Sequence, residues 1–215
     1  MADLRIGRMV LGVYGTNCYL VYKENGNEAL VVDPPDRGEQ IYQALTEKGF
    51  TVVGILLTHG HFDHVWGVEE LRRLTGAKLY ALEEERELCA NPSMNVSADA
   101  GRPCSITADE YLHDGEELSI AGMTCKVLAT PGHTAGSCCY YFEQGGFVIC
   151  GDTIFFESVG RTDFPTGNAA TLTTSIREKI FTLPGEVQLY PGHGESTTVE
   201  HEKKYNPYVG VEETL

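Results

Sequence analysis

Short apolar segments typical of β-strands recur along the chain and are separated by polar turns. In order they read RMVLGVY, CYLVY, ALVVD, VVGILLT, KLYAL, TCKVLAT, CCYYF, FVICGD and VQLYPG. Between some of them apolar residues recur every three or four positions, which predicts helices in RGEQIYQALTEKG, HVWGVEELRRLTG and AATLTTSIREKIFTL. The strands come first in pairs, then alternate with helices, and then pair again. The pattern therefore predicts an α/β protein with two mixed sheets flanked by helices.

A length of 215 residues predicts a single domain, residues 1–215, with a core large enough to fold without a disulfide or a metal. No repeat or low-complexity linker marks a second domain. Residues 91–107 are rich in Asn, Ser, Ala, Gly and Pro, which predicts a long surface loop near a site.

A formal charge of −15 disfavours nucleic acid and anionic membranes as partners, because both require a basic surface. No apolar run approaches the ~18 residues that a membrane span needs. The seven cysteines include no C-x-x-C pair, and the N-terminal stretch lacks a cleavage pattern for a signal peptide. These features predict a cytoplasmic protein with reduced thiols and leave the oligomeric state open.

Metal-ligating residue types follow four of the predicted strands. GILLT leads to His59, His61, Asp63 and His64, CKVLAT to His133, FVICG to Asp152, and VQLY to His193. In layered α/β proteins the carboxyl ends of strands form the edge at which ligands bind. Each motif has an ordinary explanation as a turn or a solvated loop, but one metal site explains all of them together.

The spacing in THGHFDH indicates two adjacent centres. His59 and His61 lie two residues apart and point the same way, whereas Asp63 and His64 fall in the first turn of the next helix and face a different point. Imidazole with carboxylate suits Zn, Fe or Mn, and an aspartate has two oxygens with which to bridge a pair of ions. We interpret His113 and His201, which lie outside these motifs, as ordinary surface residues.

At these residues the chain resembles the metallo-β-lactamase-fold hydrolase superfamily. The signature of that superfamily is His-x-His-x-Asp-His followed by a His, an Asp and a final His, and every position is filled here. The segments SVGRTDFPTG and PGHGESTTVEHEKKYNP look like those of the short bacterial glyoxalase-II-like thioester hydrolases. The resemblance implies an αββα sandwich with the active site at one edge of the two sheets.

The resemblance also implies two divalent metal ions (Zn, Fe or Mn). Its ligand pattern gives the first ion to His59, His61 and His133, the second to Asp63, His64 and His193, and the bridging position to Asp152. The implied substrate is a small-molecule thioester: a bridging hydroxide would attack the thioester carbonyl of a hydroxyacylglutathione or a related acyl thioester, and a thiolate would depart. Asp63 and Asp152 are therefore the predicted catalytic carboxylates.

Supporting residues follow from the same resemblance. Asp33 is similar to an acidic residue that orients a ligand histidine, although it could also be a turn residue before two prolines. Arg161 and Asp163 are expected to form an internal ion pair that shapes the floor of the site. Phe155, Phe156 and Phe164 could line an apolar pocket or belong to the core.

Several functions stay open. Full-length glyoxalase II enzymes carry a helical C-terminal domain that grips glutathione, whereas this chain ends 22 residues after His193, so we expect neither that domain nor its grip. The main alternative is a persulfide dioxygenase, a relative with a GRTDF segment that binds one iron, here through His59, His133 and Asp152. A non-catalytic metal-binding module is the alternative from another class. The acidity disfavours a nuclease of this fold, and the cytoplasmic expectation disfavours a β-lactamase.

Overall fold

Two six-stranded sheets form the centre of the computed structural model, which describes residues 4–210. The first sheet has the order β1 (Leu4–Leu11), β2 (Thr16–Lys23), β3 (Glu28–Val32), β4 (Thr51–Leu56), β5 (Leu79–Leu82) and β6 (Glu110–Leu112). The second has the order β14 (Thr197–Thr198), β13 (Gln188–Pro191), β10 (Phe147–Gly151), β9 (Cys138–Phe142), β8 (Met123–Ala129) and β7 (Glu117–Ile120). A separate hairpin pairs β11 (Ile154–Phe155) with β12 (Ser158–Val159).

Within the described part of the chain, six α-helices accompany the sheets: α1 (Gly38–Glu47), α2 (Phe62–Val65), α3 (Val68–Thr75), α4 (Arg86–Ala90), α5 (Ala169–Ser175) and α6 (Val199–Tyr205). The predicted helix HVWGVEELRRLTG is interrupted at Gly67, which separates α2 from α3 because its N–H bonds the carbonyl of Pro34 at 3.0 Å. The third predicted helix continues beyond α5 as a π-helical turn, Ile176–Ile180. None of the helices within residues 4–210 is both long and apolar enough to cross a membrane.

Three apolar layers hold the sandwich together. One layer packs α1 and α3 on the first sheet, with Ile41 and Leu71 at its centre, and a second fills the space between the sheets around Tyr19 and Tyr140. The third packs α5 on the second sheet around Leu172. Burial of apolar area on both faces of each sheet explains why their strands read as near-continuous apolar runs. The predicted α/β architecture of two mixed sheets flanked by helices is confirmed.

The strand directions bring the histidine loops to one edge. In the first sheet β3 and β4 run parallel, and in the second β10 and β13 run parallel. β8 is antiparallel to β9, which is antiparallel to β10, so β8 also ends at the same edge as β10. The sheets are linked there, where Asn17 N–H bonds the Gly192 carbonyl at 2.8 Å.

Residues 91–107 form no helix or strand, as the composition predicts, but this segment is not merely a surface loop. Asn95 and Ser97 within it are fully buried. The sequence around EYLHDGEELSI also divides between the sheets: β6 joins the first sheet beside β5, whereas β7 forms a hairpin with β8 in the second.

Candidate metal centre

Three imidazoles converge where β4 and β8 end. Nδ1 of His61 lies 2.8 Å from Nε2 of His133, which in turn lies 3.2 Å from Nε2 of His59. All three side chains are buried. A tetrahedral ion bound at about 2.0 Å holds its ligand nitrogens roughly 3.3 Å apart, so these separations suit a shared ion.

A second group lies beside the first and consists of Asp63, His64 and His193, whose ligand atoms fall within 4.8 Å of one another. Nε2 of His193 lies 3.3 Å from Oδ2 of Asp63, and Nε2 of His64 lies 3.9 Å from the same oxygen. Asp63 and His64 are carried by α2, as the spacing of the motif predicts.

Asp152 lies between the two groups. Its Oδ2 atom is 3.7 Å from Nε2 of His133 and 3.6 Å from Nε2 of His193, and its Oδ1 atom is 3.4 Å from Nε2 of His64. One carboxylate therefore faces an imidazole of the first group and imidazoles of the second.

Three buried polar atoms in this cluster have no hydrogen-bond partner: Nε2 of His61, Nε2 of His64 and Oδ1 of Asp152. Buried polar atoms are nearly always paired. Nε2 of His64 and Oδ1 of Asp152 lie 3.4 Å apart within the centre, whereas Nε2 of His61 belongs to the ring whose Nδ1 faces His133. Imidazole and carboxylate donors in this arrangement fit divalent metal ions.

Burial controls the protonation of the first group. Desolvation, reinforced by neighbouring imidazoles, lowers the pKa of His59 well below its ordinary value and that of His61 to about 3. Both rings are therefore neutral at physiological pH, which leaves a nitrogen lone pair for a metal ion.

The second group has the opposite electrostatics. Burial opposes the charged form of His64, but the carboxylates of Asp152 and Asp63 outweigh it and raise the pKa of this histidine. Burial likewise opposes ionisation of Asp152, but the surrounding imidazoles, His64 foremost, lower the pKa of its carboxyl. A bound cation would take the place of the proton that these carboxylates favour on His64.

Asp33 supports one imidazole in each group. The Nδ1–H of His64 donates to Oδ2 of Asp33 at 2.9 Å, and the Thr58 hydroxyl donates to the same oxygen at 2.6 Å. The Thr58 hydroxyl also lies 3.1 Å from Nδ1 of His59, from which it accepts. Asp33 therefore contacts a predicted ligand rather than serving only as a turn residue, and it leaves Nε2 of both rings free for a metal.

Arg161 and Asp163 do pair, with two contacts of 2.7 Å, but the prediction of an internal pair is wrong. Their side chains are 55% and 67% exposed, because the loop that carries them lies at the mouth of the site. Arg161 supports the site through its backbone, since its carbonyl accepts from Nδ1–H of His133 at 2.7 Å. Its guanidinium lies 3.8 Å from the ring centre of Phe164.

Two glycines explain the Pro-Gly-His turns. A Cβ at Gly192 would collide with Oδ1 of Asp152 and crowd His64, so only glycine allows the His193 turn to approach the centre. Gly132 has a φ of +136°, and a Cβ there would collide with the backbone of Leu172.

The sequence interpretation missed Glu85, a carboxylate that joins two ligand loops. Glu85 is 1% exposed and accepts hydrogen bonds from Gly60 N–H at 2.8 Å and Gly136 N–H at 2.9 Å. The Thr134 hydroxyl donates to it as well, at 2.9 Å. Gly60 lies between His59 and His61, and Thr134 follows His133. Glu85 stands in the acidic run LEEERE, which favours a solvated surface, so only the fold distinguishes it from its neighbours.

A cavity of about 590 Å³ opens over the centre and includes five of the predicted ligands in its lining, together with Phe155 and Phe164. These two aromatics lie at the site, whereas Phe156 is 40% exposed and stacks on His201 with ring centres 4.9 Å apart. His113 is exposed, as expected, and His201 is partly buried beside Glu157.

Comparison with known families and sequences gives consistent matches. The model of a family described as "Metallo-beta-lactamase superfamily" matches residues 11–193. The "Probable metallo-hydrolase YqgX" of Bacillus subtilis is 38% identical over 94% of this chain and 96% of its own length. The "Hydroxyacylglutathione hydrolase GloC" of Haemophilus influenzae is 32% identical over 90% of this chain and 92% of its own.

Solved structures give the same result. BLEG-1, described as a B3 metallo-beta-lactamase, superposes with a TM-score of 0.91 at 35% identity and covers 95% of this chain and 99% of its own. TTHA1623 in a di-iron-bound form has a TM-score of 0.84 at 30% identity, with 94% and 99% covered. ETHE1 from Myxococcus xanthus has a TM-score of 0.78 at 29% identity, with 94% and 83% covered.

Proposed function

The chain belongs to the metallo-beta-lactamase superfamily, and from this premise we propose that it is a metallo-hydrolase that cleaves acyl thioesters with two divalent metal ions. The observation that carries the proposal is the position of Asp152, whose carboxylate faces His133 on one side and His64 and His193 on the other. The similarity to a di-iron structure and to a hydroxyacylglutathione hydrolase supports the same function.

We assign His59, His61 and His133 to one ion, Asp63, His64 and His193 to the other, and Asp152 to both. When bound, such a pair lowers the pKa of water toward neutrality and stabilises negative charge on an attacked carbonyl oxygen. The protein supplies no side-chain nucleophile in this proposal.

The chain's own residues position the centre. The backbone carbonyl of Arg161 fixes the tautomer of His133, and Asp33 does the same for His64 directly and for His59 through Thr58. The Thr16 hydroxyl lies 3.3 Å from Oδ2 of Asp63 and limits its rotation. These contacts hold the ligand atoms in place before substrate binds.

The leaving group favours a thioester. Hydrolysis adds water across the bond between the carbonyl carbon and sulfur and releases a carboxylate and a thiol. A thiol has a pKa of about 8.5, so it can leave as the thiolate without a proton donor and take up its proton afterwards. An amide nitrogen would need one.

β-Lactam hydrolysis is a second candidate, because BLEG-1 matches nearly the whole chain at 35% identity. Sulfur oxidation by a single iron is a third, since the GRTDF segment resembles that of persulfide dioxygenases. The two alternatives differ from thioester hydrolysis in measurable products.

The test uses protein loaded separately with zinc and with iron. Release of thiol from acyl thioesters of glutathione, coenzyme A and N-acetylcysteamine is compared with turnover of a chromogenic cephalosporin and with oxygen uptake on glutathione persulfide. Thiol release as the fastest reaction, lost in Asp63→Ala, is the expected result. Faster cephalosporin turnover or oxygen uptake would assign the protein to the corresponding alternative, and no turnover by the loaded protein would favour a non-catalytic module.

A further inference from the structure

Val96 has a backbone conformation that a valine rarely adopts. Its φ is +65°, in the left-handed region where a β-branched side chain meets the backbone. Strained residues of this kind persist only where the surrounding structure determines them, and they cluster at functional sites.

Hydrogen bonds of the neighbouring Asn95 hold Val96 in this conformation. Its side-chain amide donates to the carbonyls of Cys89 at 3.2 Å and Cys104 at 3.0 Å, and its Oδ1 accepts from Ser97 N–H at 3.0 Å. Its backbone carbonyl accepts from Phe62 N–H at 3.1 Å. Since Phe62 begins α2, the helix that carries Asp63 and His64, the turn at Val96 is fixed relative to the metal ligands.

The strained backbone places an apolar side chain in the cavity wall. Val96 is 9% exposed and lines the cavity over the centre. Tyr14 and Phe62 also line it and contact each other edge to face, with ring centres 5.1 Å apart.

Aromatic rings in the same lining also lie beside two of the predicted ligands. The ring of Phe164 lies 5.4 Å from that of His61, and the ring of Phe155 lies 6.2 Å from that of His193. A group that enters the cavity therefore meets apolar surface beside both metal positions.

Away from the metal positions, the charged side chains of the lining disfavour an anionic group. Among the described residues that line the cavity, Arg161 is the one lysine or arginine, and its guanidinium is bonded to Asp163 at 2.7 Å. The carboxylate of Asp99 belongs to the same lining and would repel an anion.

We propose that the cavity accepts the acyl group of the substrate, that this group is apolar and uncharged, and that Val96 selects it by packing against it. This proposal rests on thioester hydrolysis as the function. It assigns a role to residues 91–107 that the metal centre alone does not require.

The test varies only the acyl group on one uncharged carrier. Acetyl, hexanoyl and succinyl thioesters of N-acetylcysteamine are compared with wild-type protein, Val96→Asn and Val96→Gly. Asn and Gly both tolerate a positive φ, so the backbone keeps its conformation while the apolar wall is replaced or removed. The matched control is Val10→Asn, at a valine that is 56% exposed and does not line the cavity.

Wild type is expected to hydrolyse the hexanoyl ester with a kcat/KM at least about tenfold above that of the succinyl ester. Val96→Asn should lower kcat/KM for the hexanoyl ester about tenfold and leave that for the acetyl ester within about twofold, since a methyl group offers little area for packing. Tm should stay within about 4 °C of wild type, and Val10→Asn should change none of the ratios.

The possible failures are distinguishable. A lack of hydrolysis of all three esters by metal-loaded wild type would overturn the proposed function itself. Hydrolysis with a preference for the succinyl ester, or an equal loss on all three esters in both Val96 variants, would overturn only the role of Val96 and of an apolar acyl group.

Discussion

The carboxylate of Asp33 lies 2.9 Å from Nδ1 of His64, and the Thr58 hydroxyl bridges the same carboxylate to Nδ1 of His59 through hydrogen bonds. One buried aspartate thereby orients an imidazole in each of the two ligand groups. Asp33 accepts from Nδ1–H of His64 and from the Thr58 hydroxyl, which in turn accepts from Nδ1–H of His59. Because Nδ1 of each ring is used in this way, Nε2 of each ring faces the centre.

Replacement of Asp33 should weaken metal binding without removing a ligand. Asp33→Asn tolerates the φ of +50° at this position, but an amide presents only one acceptor oxygen and loses the charge that favours the ring N–H. We expect affinity for metal to fall about 10- to 100-fold, measured by competition with a chromogenic chelator. Asp36→Asn, at a carboxylate bonded to Arg102, is the control, and an equal effect at both positions would contradict the role of Asp33.

Removal of Asp63 should empty the second metal position and leave the first one occupied. Asp63→Ala takes a carboxylate from the second group and leaves His59, His61 and His133 intact. We expect this variant to bind one ion in place of two and to lose thioester hydrolysis. Hydrolysis retained by Asp63→Ala would contradict the two-metal proposal. If the protein is instead a single-iron dioxygenase, Asp63→Ala should keep most of its iron.

Glu85 should make the stability of the metal-free protein depend on pH. Burial raises the pKa of this carboxyl from its ordinary value near 4.5 to about 7, although the hydrogen bonds from Gly60, Thr134 and Gly136 oppose the shift. Folding therefore favours the protonated form, so this contribution to stability is complete below about pH 4.5 and is lost as the pH rises through 7.

Glu85→Gln lacks the titrating group and isolates that contribution. Gln cannot accept from both backbone N–H groups, so we expect Glu85→Gln to be less stable than wild type at pH 5. Wild type loses the contribution of Glu85 as the pH rises, so the difference between the free energies of unfolding of the two proteins should narrow by roughly 3 kcal/mol between pH 5 and 8. Denaturant unfolding of wild type and Glu85→Gln across this pH range measures the difference. A difference that stays constant with pH would show that Glu85 does not titrate in this range.

Metal removal should destabilise the fold at the edge where the loops converge. Ions that bind the folded state alone stabilise it by about 2.7 kcal/mol per site at a free concentration 100 times Kd. We therefore expect zinc or iron to raise Tm of the chelator-treated protein and a chelator to reverse the gain. Titration at lower pH should require more metal, because protons compete for the same imidazole nitrogens. An unchanged Tm on loading would contradict metal binding at the buried site.

The sequence predicts the parts of the centre that depend on strand ends. His59, His133, Asp152 and His193 each follow an apolar run, and parallel strands bring such ends to one edge of a sandwich. The same local logic predicts α2 from the residues that follow His61.

The remaining parts depend on contacts between distant segments. Glu85 is 25 residues from Gly60 and 51 from Gly136, and no local pattern distinguishes it from the exposed Glu84 beside it. The break at Gly67 and the conformation of Val96 arise likewise from contacts with Pro34 and with the loop around Asn95, which hydrophobic periodicity does not encode.

The number of metal ions per chain tests the central proposal most directly. Elemental analysis of protein purified anaerobically and reconstituted with iron or with zinc should give two ions per chain for wild type and one for Asp63→Ala. One tightly held iron in wild type, unchanged in Asp63→Ala, would contradict the two-metal hydrolase and favour sulfur oxidation at His59, His133 and Asp152.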